Sequence, residues 1–380
     1  MGASIEGNYK RSYARGCTLN HNKMKWLVPV SNSNKIHVFP GSKMSEMTAL
    51  LHAQNLSFKQ FLTKHFRGFT CSNGDVYVST TLKIDKLDHD FYHYIDKQLE
   101  NPKIIPVNSW HEVGKAIMRM WAAEKRKTYE EIRNQFQYQT YLKYQETMGK
   151  ILQGEVLDQR AGCEDYSYII KSTKAHVSEL LIMNILFSGA KKVISILDLG
   201  TDIGMLPALA YKFFRGYGYE PLVSTSDIQP SDSFKFLHRK FTEEGTLINF
   251  FPMNFLEIDR YKGVHDFIAM NQVIEHFTEE EYMHILNNVL RTNCRKALLM
   301  TVPLEKLNPT WGHKSEFDSE RLRKLAGMFP QTVNLSGNIV GFNGKPLIDE
   351  GFLILVKDRD LAAPFMQTQT CIKDLLRFAK

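Results

Sequence analysis

Asp198, Gly200 and Gly204 stand in the run I-S-I-L-D-L-G-T-D-I-G, Ile194 to Gly204. An apolar stretch ends there in a carboxylate. Two glycines follow, and then a helix-like run from Met205 to Phe214 with Pro207 in its first turn. That order predicts a buried parallel strand, a tight turn and a helix start, with Asp198 at the carboxyl edge where open α/β sheets bind ligands. Gly200 lets the backbone turn sharply and lie close to a ligand, and Gly204 lets the helix pack close to the strand. Alone, the motif serves equally well as a strand–helix turn with no ligand. Asp227 ends a second strand-like stretch, V-S-T-S-D, 29 residues after Asp198. A carboxylate there can accept two hydrogen bonds from ribose hydroxyls. Asn254 and Phe255 end a third stretch, Leu247 to Phe255, and offer an amide to an adenine edge and an apolar face to its ring. Asn271 and Gln272 close a fourth, and Glu275 and His276 follow at once. His313 sits in the loop Leu304 to Phe317, after a fifth strand at Lys296 to Val302. Glu275, His276 and His313 can take a proton from a hydroxyl or amine, which is worth about 10²–10⁴-fold in rate.

The order D-x-G-x-x-x-G, an acidic second strand end, N-F, then D-F-I-x-x-N-x-V-I-E-H resembles the class I S-adenosylmethionine-dependent methyltransferases. V-I-E-H, from Val273 to His276, is the most specific part and is similar to the fourth motif of the small-molecule and ubiquinone-type O-methyltransferases. The resemblance covers Tyr166 to Asp358, about half the chain. It implies a Rossmann-like α/β fold: a seven-stranded sheet finished by an antiparallel hairpin. It also implies S-adenosyl-L-methionine as cofactor, held by Asp198, Gly200, Asp202, Gly204, Asp227, Ile228, Asn254, Phe255, Asn271 and Gln272. The family's middle glycine is Asp202 here, so a side chain should project into or over the cofactor loop. The segment before the first strand often covers the cofactor's methionine end, and Arg160 and Lys171 are the cations available for its carboxylate.

Three roles stay open for Glu275 and His276: a structural one at a helix start, a base or substrate contact together with His313, or metal ligation. In ubiquinone-type and small-RNA 2′-O-methyltransferases, E-x-x-E-H plus later polar residues holds a divalent metal. Here Gln272 replaces the first Glu, and a neutral amide weakens a hard-cation site. The expectation is therefore catalysis without a metal.

The elements that must position these groups are legible in outline. Thr278 to Glu281 is a capping box before the helix E-Y-M-H-I-L-N-N-V-L. Asp318 to Met328 reads as a helix. Thr332 to Phe342 and Glu350 to Lys357 read as strands, joined through Asn343-Gly344, a hairpin signal. Upstream, Lys25 to Val30, Lys35 to Phe39 and Asp75 to Leu82 look like short strands, and Met44 to Gln54 and Ser57 to Phe66 like short helices. From Ser109 the chain turns helical, with Trp110, Val113, Ile117 and Trp121 at helical spacing. Thr128 to Glu131 is a second capping box, opening a helix with Tyr129, Ile132, Phe136, Tyr138, Tyr141 and Tyr144. That aromatic face is either packed on the catalytic domain or part of a substrate lid. Arg160 to Tyr168 reads as a loop before a helix at Ile169 to Phe187. The resulting division is an N-terminal α+β and helical cap over 1–153, the methyltransferase domain over 154–360, and a C-terminal tail over 361–380 predicted to be helical.

Composition narrows the class. An apolar fraction of 43% with 23% charged residues suits a globular protein. There is no run of eighteen apolar residues, so no membrane span is expected. The N-terminus has neither an apolar signal core nor the myristoylation pattern. Five scattered cysteines without C-x-x-C argue against a disulfide framework or zinc cluster and fit the cytoplasm. A net charge of +7 is modest for 380 residues, and no dense Lys/Arg cluster or RNA-binding motif is present, so nucleic acid is not the expected partner. The expected acceptor is a small molecule, methylated on O or N, with a homodimer possible in principle. The competing readings are a cyclase or lyase acting on the same cofactor, an RNA methyltransferase, and a cofactor-binding regulatory subunit without turnover.

Overall fold

The computed structural model describes residues 25–29, 36–40, 66–71, 74–79, 104–105, 110–155, 157, 164–187, 192–304, 312–329, 333–340, 346–357 and 375–376. The chain divides into two compact units, residues 1–140 with 159–168, and residues 141–158 with 169–380. In the first, β1 (Lys25–Pro29) pairs antiparallel with β2 (Ile36–Pro40). A three-stranded antiparallel sheet joins β3 (Phe66–Cys71), β4 (Gly74–Ser79) and β5 (Ile104–Ile105). The helix expected at 44–54, that expected at 57–66 up to Phe66, the turn at Asn343-Gly344, Arg160 and nearly all of the C-terminal tail lie outside the described residues, while Phe66 itself opens β3 rather than ending a helix.

Helix α1 (Trp110–Lys125) ends where Arg126 takes a left-handed backbone, φ 54°. Helix α2 (Tyr129–Leu152) then starts on the expected capping box. Thr128 N donates to Glu131 Oε2 at 2.7 Å, and Glu131 N donates to Thr128 Oγ1 at 3.1 Å. The division between the units falls inside α2, after Thr140. From Tyr141 on, the helix belongs to the second unit, and Tyr141, Tyr144, Met148 and Ile151 are buried. Tyr141 packs on Phe241 at 4.6 Å between ring centroids, under Lys212. Of the two roles open to this aromatic face, Tyr141 serves the packing one.

The second unit holds a seven-stranded sheet in the order β11-β12-β10-β9-β6-β7-β8. Its strands are β6 (Val193–Leu199), β7 (Glu220–Asp227), β8 (Ile248–Pro252), β9 (His265–Asn271), β10 (Cys294–Pro303), β11 (Val333–Val340) and β12 (Pro346–Val356). The five from β6 to β10 are parallel, and β12 runs antiparallel to both β10 and β11. Strand β8 stops at Pro252, earlier than the reading to Phe255. Asn254 instead caps a short 3₁₀ segment, Phe255–Arg260, with Oδ1 accepting from Leu256 N at 3.1 Å.

Parallel strands need crossover helices, and each is where the sequence puts an apolar stripe after a strand end. These are α4 (Met205–Gly216), α5 (Asp232–Glu243), α6 (Glu279–Asn288) and α7 (Ser319–Gly327); α3 (Glu164–Phe187, five residues longer at its start than expected) precedes β6, and the β8–β9 connection carries the 3₁₀ segment alone. Thr278 and Glu281 form the predicted capping box of α6, and Asp318 caps α7 by accepting from Arg321 N at 2.7 Å. Residues Phe267 to Met270 of β9 are wholly buried, as a central strand covered on both faces must be. Ile268 and Met270 pack with Ile285, Leu286, Leu322 and Leu325, while Phe267 meets Phe187 of α3.

The amino end of the sheet is tied by a polar network. His265 is buried, with Nδ1 2.9 Å from Ser195 Oγ and Nε2 2.7 Å from the Tyr261 hydroxyl. Ser195 N donates to Asp266 Oδ2 at 3.0 Å. Burial, and then the Arg295 charge, pull the His265 imidazole from 6.5 down to about 4, against a smaller opposing pull from Asp266. The ring therefore stays neutral, with one hydroxyl on each nitrogen.

Candidate active site

Strand order reverses between β6 and β9: β7 and β8 continue to one side, and β9 and β10 to the other. The crevice outside the carboxyl ends of strands at such a switch point is where doubly wound sheets bind ligands. Asp198, Gly200, Asp202 and Gly204 border it from β6, and Asn271 and Gln272 from β9.

The loop after β6 is pinned to β7. Gly200 N donates to Ser226 O at 2.9 Å, Thr201 Oγ1 donates to the same carbonyl at 3.0 Å, and the Thr201 and Thr225 hydroxyls are bonded to each other. Thr225 Oγ1 also reaches Asp198 Oδ2 at 3.3 Å. Three loop residues have left-handed backbones: Gly200 at φ 88°, Asp202 at φ 46° and Gly204 at φ 82°. Asp is among the few non-glycine residues that tolerate this region. A Cβ on Gly200 would lie 2.3 Å from Val273 Cγ2, and one on Gly204 would lie 3.0 Å from the Phe234 ring. Gly200 thus makes room for a neighbouring side chain of the site, and Gly204 for a ring of α5 as well as for the turn.

The crevice is acidic. Asp198 is buried; burial first, then Glu179, raise its carboxyl well above the ordinary range, with further pushes from Asp227 and Asp202. Burial, followed by the Asp227 charge, also raises Asp202. Asp227 is half-buried at the end of β7, with Oδ1 accepting from Ile228 N at 2.7 Å. Ile228 is 67% exposed, whereas Phe255 is buried. At the end of β9, Asn271 accepts from Thr301 Oγ1 at 2.8 Å and donates through Nδ2 to Glu179 Oε2 at 3.1 Å. Gln272 takes a positive φ of 57°, and its Nε2 lies 3.4 Å from Thr301 Oγ1. Glu179, on α3, is absent from the sequence reading. Nothing local marks one acid within a long apolar helix, and it reaches the site only through folding.

On the other flank, Glu275, His276 and His313 come together. One ligand atom from each lies within 4.8 Å of the others. The assembly is built by the loop after β10 docking on the turn after β9. Lys314 N and Ser315 N donate to Glu275 O at 2.8 and 3.0 Å, and Ser315 Oγ donates to Phe277 O at 2.7 Å. The two imidazoles meet edge to face at 5.1 Å, and His276 Nδ1 lies 3.4 Å from Gly312 O. Glu275 is buried. Among the described residues, two cations beside this flank are engaged: Lys314 with Glu281 at 3.2 Å, and Arg321 with Glu279 at 3.0 Å.

Residues 174–331 match a family described as a methyltransferase domain. Among solved structures, the chain is similar to the small RNA methyltransferase HEN1 at 20% identity and TM-score 0.38, over 48% of this chain and 25% of that one. It is similar to the magnesium protoporphyrin IX methyltransferase of Synechocystis PCC 6803 with bound S-adenosylhomocysteine at 16% identity and TM-score 0.38, over 56% and 93%. It is also similar to TehB from Haemophilus influenzae at 18% identity and TM-score 0.35, over 51% and 66%. The chain thus spans a quarter of the length of the first of these and most of the second. No curated protein gives a significant match. Among the described residues no helix is long and apolar enough to cross a membrane.

Proposed function

We infer that this chain, whose residues 174–331 match a methyltransferase domain, is a class I S-adenosylmethionine-dependent methyltransferase that methylates an oxygen or nitrogen of a small molecule. The observation that carries the reading is the convergence of Glu275, His276 and His313 beside the carboxyl end of β9. The bound sulfonium cofactor supplies an already activated methyl group, so the chain must align an acceptor and remove its proton. With Nδ1 protonated toward Gly312 O, His276 offers Nε2 as the proton acceptor. His313 lies against that ring, and buried Glu275 balances the charge that the imidazole gains.

The crevice suits the cofactor. Asp227 keeps Oδ2 for ribose hydroxyls while Oδ1 holds Ile228 N. Asn254 Oδ1 is taken by its cap, which leaves Nδ2 to donate to an adenine ring nitrogen. Ile228 and Phe255 would cover the ring. Asp198 and Asp202 lie where a cationic ligand lowers the cost of carrying their charges.

The sign of the charge beside the cluster supports a small acceptor over RNA. A polyphosphate backbone beside Glu275, His276 and His313 would have to approach the acidic start of α6, where Lys314 and Arg321 are already ion-paired. The test is incubation with methyl-labelled cofactor and a cell extract. Label is expected in a small-molecule fraction. Label in RNA would reverse the substrate class, a volatile or cleaved product would point to a cyclase or lyase, and no transfer would leave a binding subunit.

A second reading rests on the same cluster, since three donors within 4.8 Å could grip a divalent cation. An imidazole-rich set favours iron or zinc over magnesium, and a carboxylate beside it also admits manganese. Gln272, bonded to Thr301, brings no charge to such a site. Activity is therefore expected to survive EDTA. Loss with EDTA and return with manganese would make Glu275, His276 and His313 ligands.

A further inference from the structure

Glu179 lies in the middle of α3, 4% exposed, beneath the crevice between β6 and β9. Its Oε2 accepts from Asn271 Nδ2 at 3.1 Å and lies 3.6 Å from His176 Nδ1, too far for a hydrogen bond. Its Oε1 is buried with no hydrogen-bond partner. An orphaned carboxylate oxygen inside a protein is costly and calls for a donor. Asp198, at the end of β6, is near enough for Glu179 to raise its carboxyl, after burial itself. Among the described residues no lysine or arginine is ion-paired with either acid. Two buried acids close enough to interact, one of them held by Asn271 with an unsatisfied acceptor, make a site for a cation that can also donate.

We propose that Glu179 Oε1 receives the α-ammonium of the methionine moiety of the cofactor. The placement follows from the chain. Asp227 and Asn254 take the nucleoside end at β7 and β8, so the amino-acid end must lie over β6 and β9, where Asn271 holds Glu179. A cofactor there presents two cationic centres. The sulfonium has no N–H or O–H to give, so it cannot satisfy Oε1, whereas the ammonium carries three donors. The ligand's carboxylate, like-charged with Glu179 and Asp198, is excluded from this spot.

The proposal rests on the cofactor assignment, and calorimetry at neutral pH separates the two. S-Adenosylhomocysteine carries the ammonium without the sulfonium; 5′-methylthioadenosine keeps the nucleoside and lacks the ammonium. Glu179→Gln is expected to weaken S-adenosylhomocysteine binding by about 10- to 100-fold. It should leave methylthioadenosine within about twofold, since its contacts lie at Asp227 and Asn254. An equal loss for both would show that Glu179 only maintains the shape of the crevice, and no loss for either would also overturn the proposal. On the unaltered chain, the desamino analogue of S-adenosylhomocysteine should bind at least about tenfold more weakly than its parent. Equal binding there overturns the proposal even if the variant fails to fold. An unaltered chain that binds none of these ligands sinks the cofactor assignment, and the proposal with it.

Discussion

At Gly200 the backbone is left-handed and the space beside it is already filled. Gly200 was to keep the path of a ligand clear, yet the atom a Cβ would strike is Val273 Cγ2, from the turn after β9. A substitution there meets strain from φ 88° and a collision with a buried side chain. Gly200→Ala should therefore lower the thermal midpoint by several degrees, and Val273→Ala in the same chain should restore part of the loss. If the double variant is no better than the sum of the singles, Val273 is not the obstacle. Asn254, expected at a strand end, turns out to cap the segment Phe255–Arg260. The strand-end residues were legible because a glycine after an apolar run, or an acid at its end, is a local signal. Glu179 was not, because its role depends on Asn271, 92 positions away.

At the level of elements, the caps and strand ends came through the sequence well. Thr128 and Thr278 each hold the backbone amide that their spacing implied, and Asp318 caps its helix in the same way. What periodicity could not show is how elements are locked side to side. His265 joins β9 to β6 through Ser195 and to Tyr261 at the end of the 3₁₀ segment. With its pKa near 4 in the fold and 6.5 when unfolded, only the unfolded chain takes up a proton between those values. Its contribution is complete above pH 6.5 and lost progressively as the pH falls toward 4. Denaturant midpoints measured over that window should drop less steeply in His265→Gln than in the parent. Parallel slopes would mean that the imidazole is not the titrating group.

For the molecule as a whole, the division into units is the least legible feature, because α2 runs through it without a break in helical pattern. A boundary at 153 would follow the glycine after the helix, but the second unit already includes 141–158. A chain starting at Gln153 would strip Tyr141, Met148 and Ile151 from the core and bare Phe241. Loss of one such aromatic alone costs about 3–5 kcal/mol. A chain starting at Thr128, with the helix cap intact, should melt cooperatively, and one starting at Gln153 should melt far lower or aggregate. Equal midpoints for the two would show that the last turns of α2 are dispensable.

The pair Glu179 and Asp198 has a consequence for the lifetime of the protein. Two buried carboxyls that disfavour each other's ionisation strain the ligand-free fold, and a cationic cofactor relieves that strain on binding. Ligand binding to the native state adds stability by mass action, about 2.7 kcal/mol at a hundredfold excess over Kd. Proteases that sample the opened chain then degrade the ligand-free population first. Abundance would track cofactor supply, and pulse-chase half-lives in cells depleted of methionine should shorten for the parent more than for Glu179→Gln.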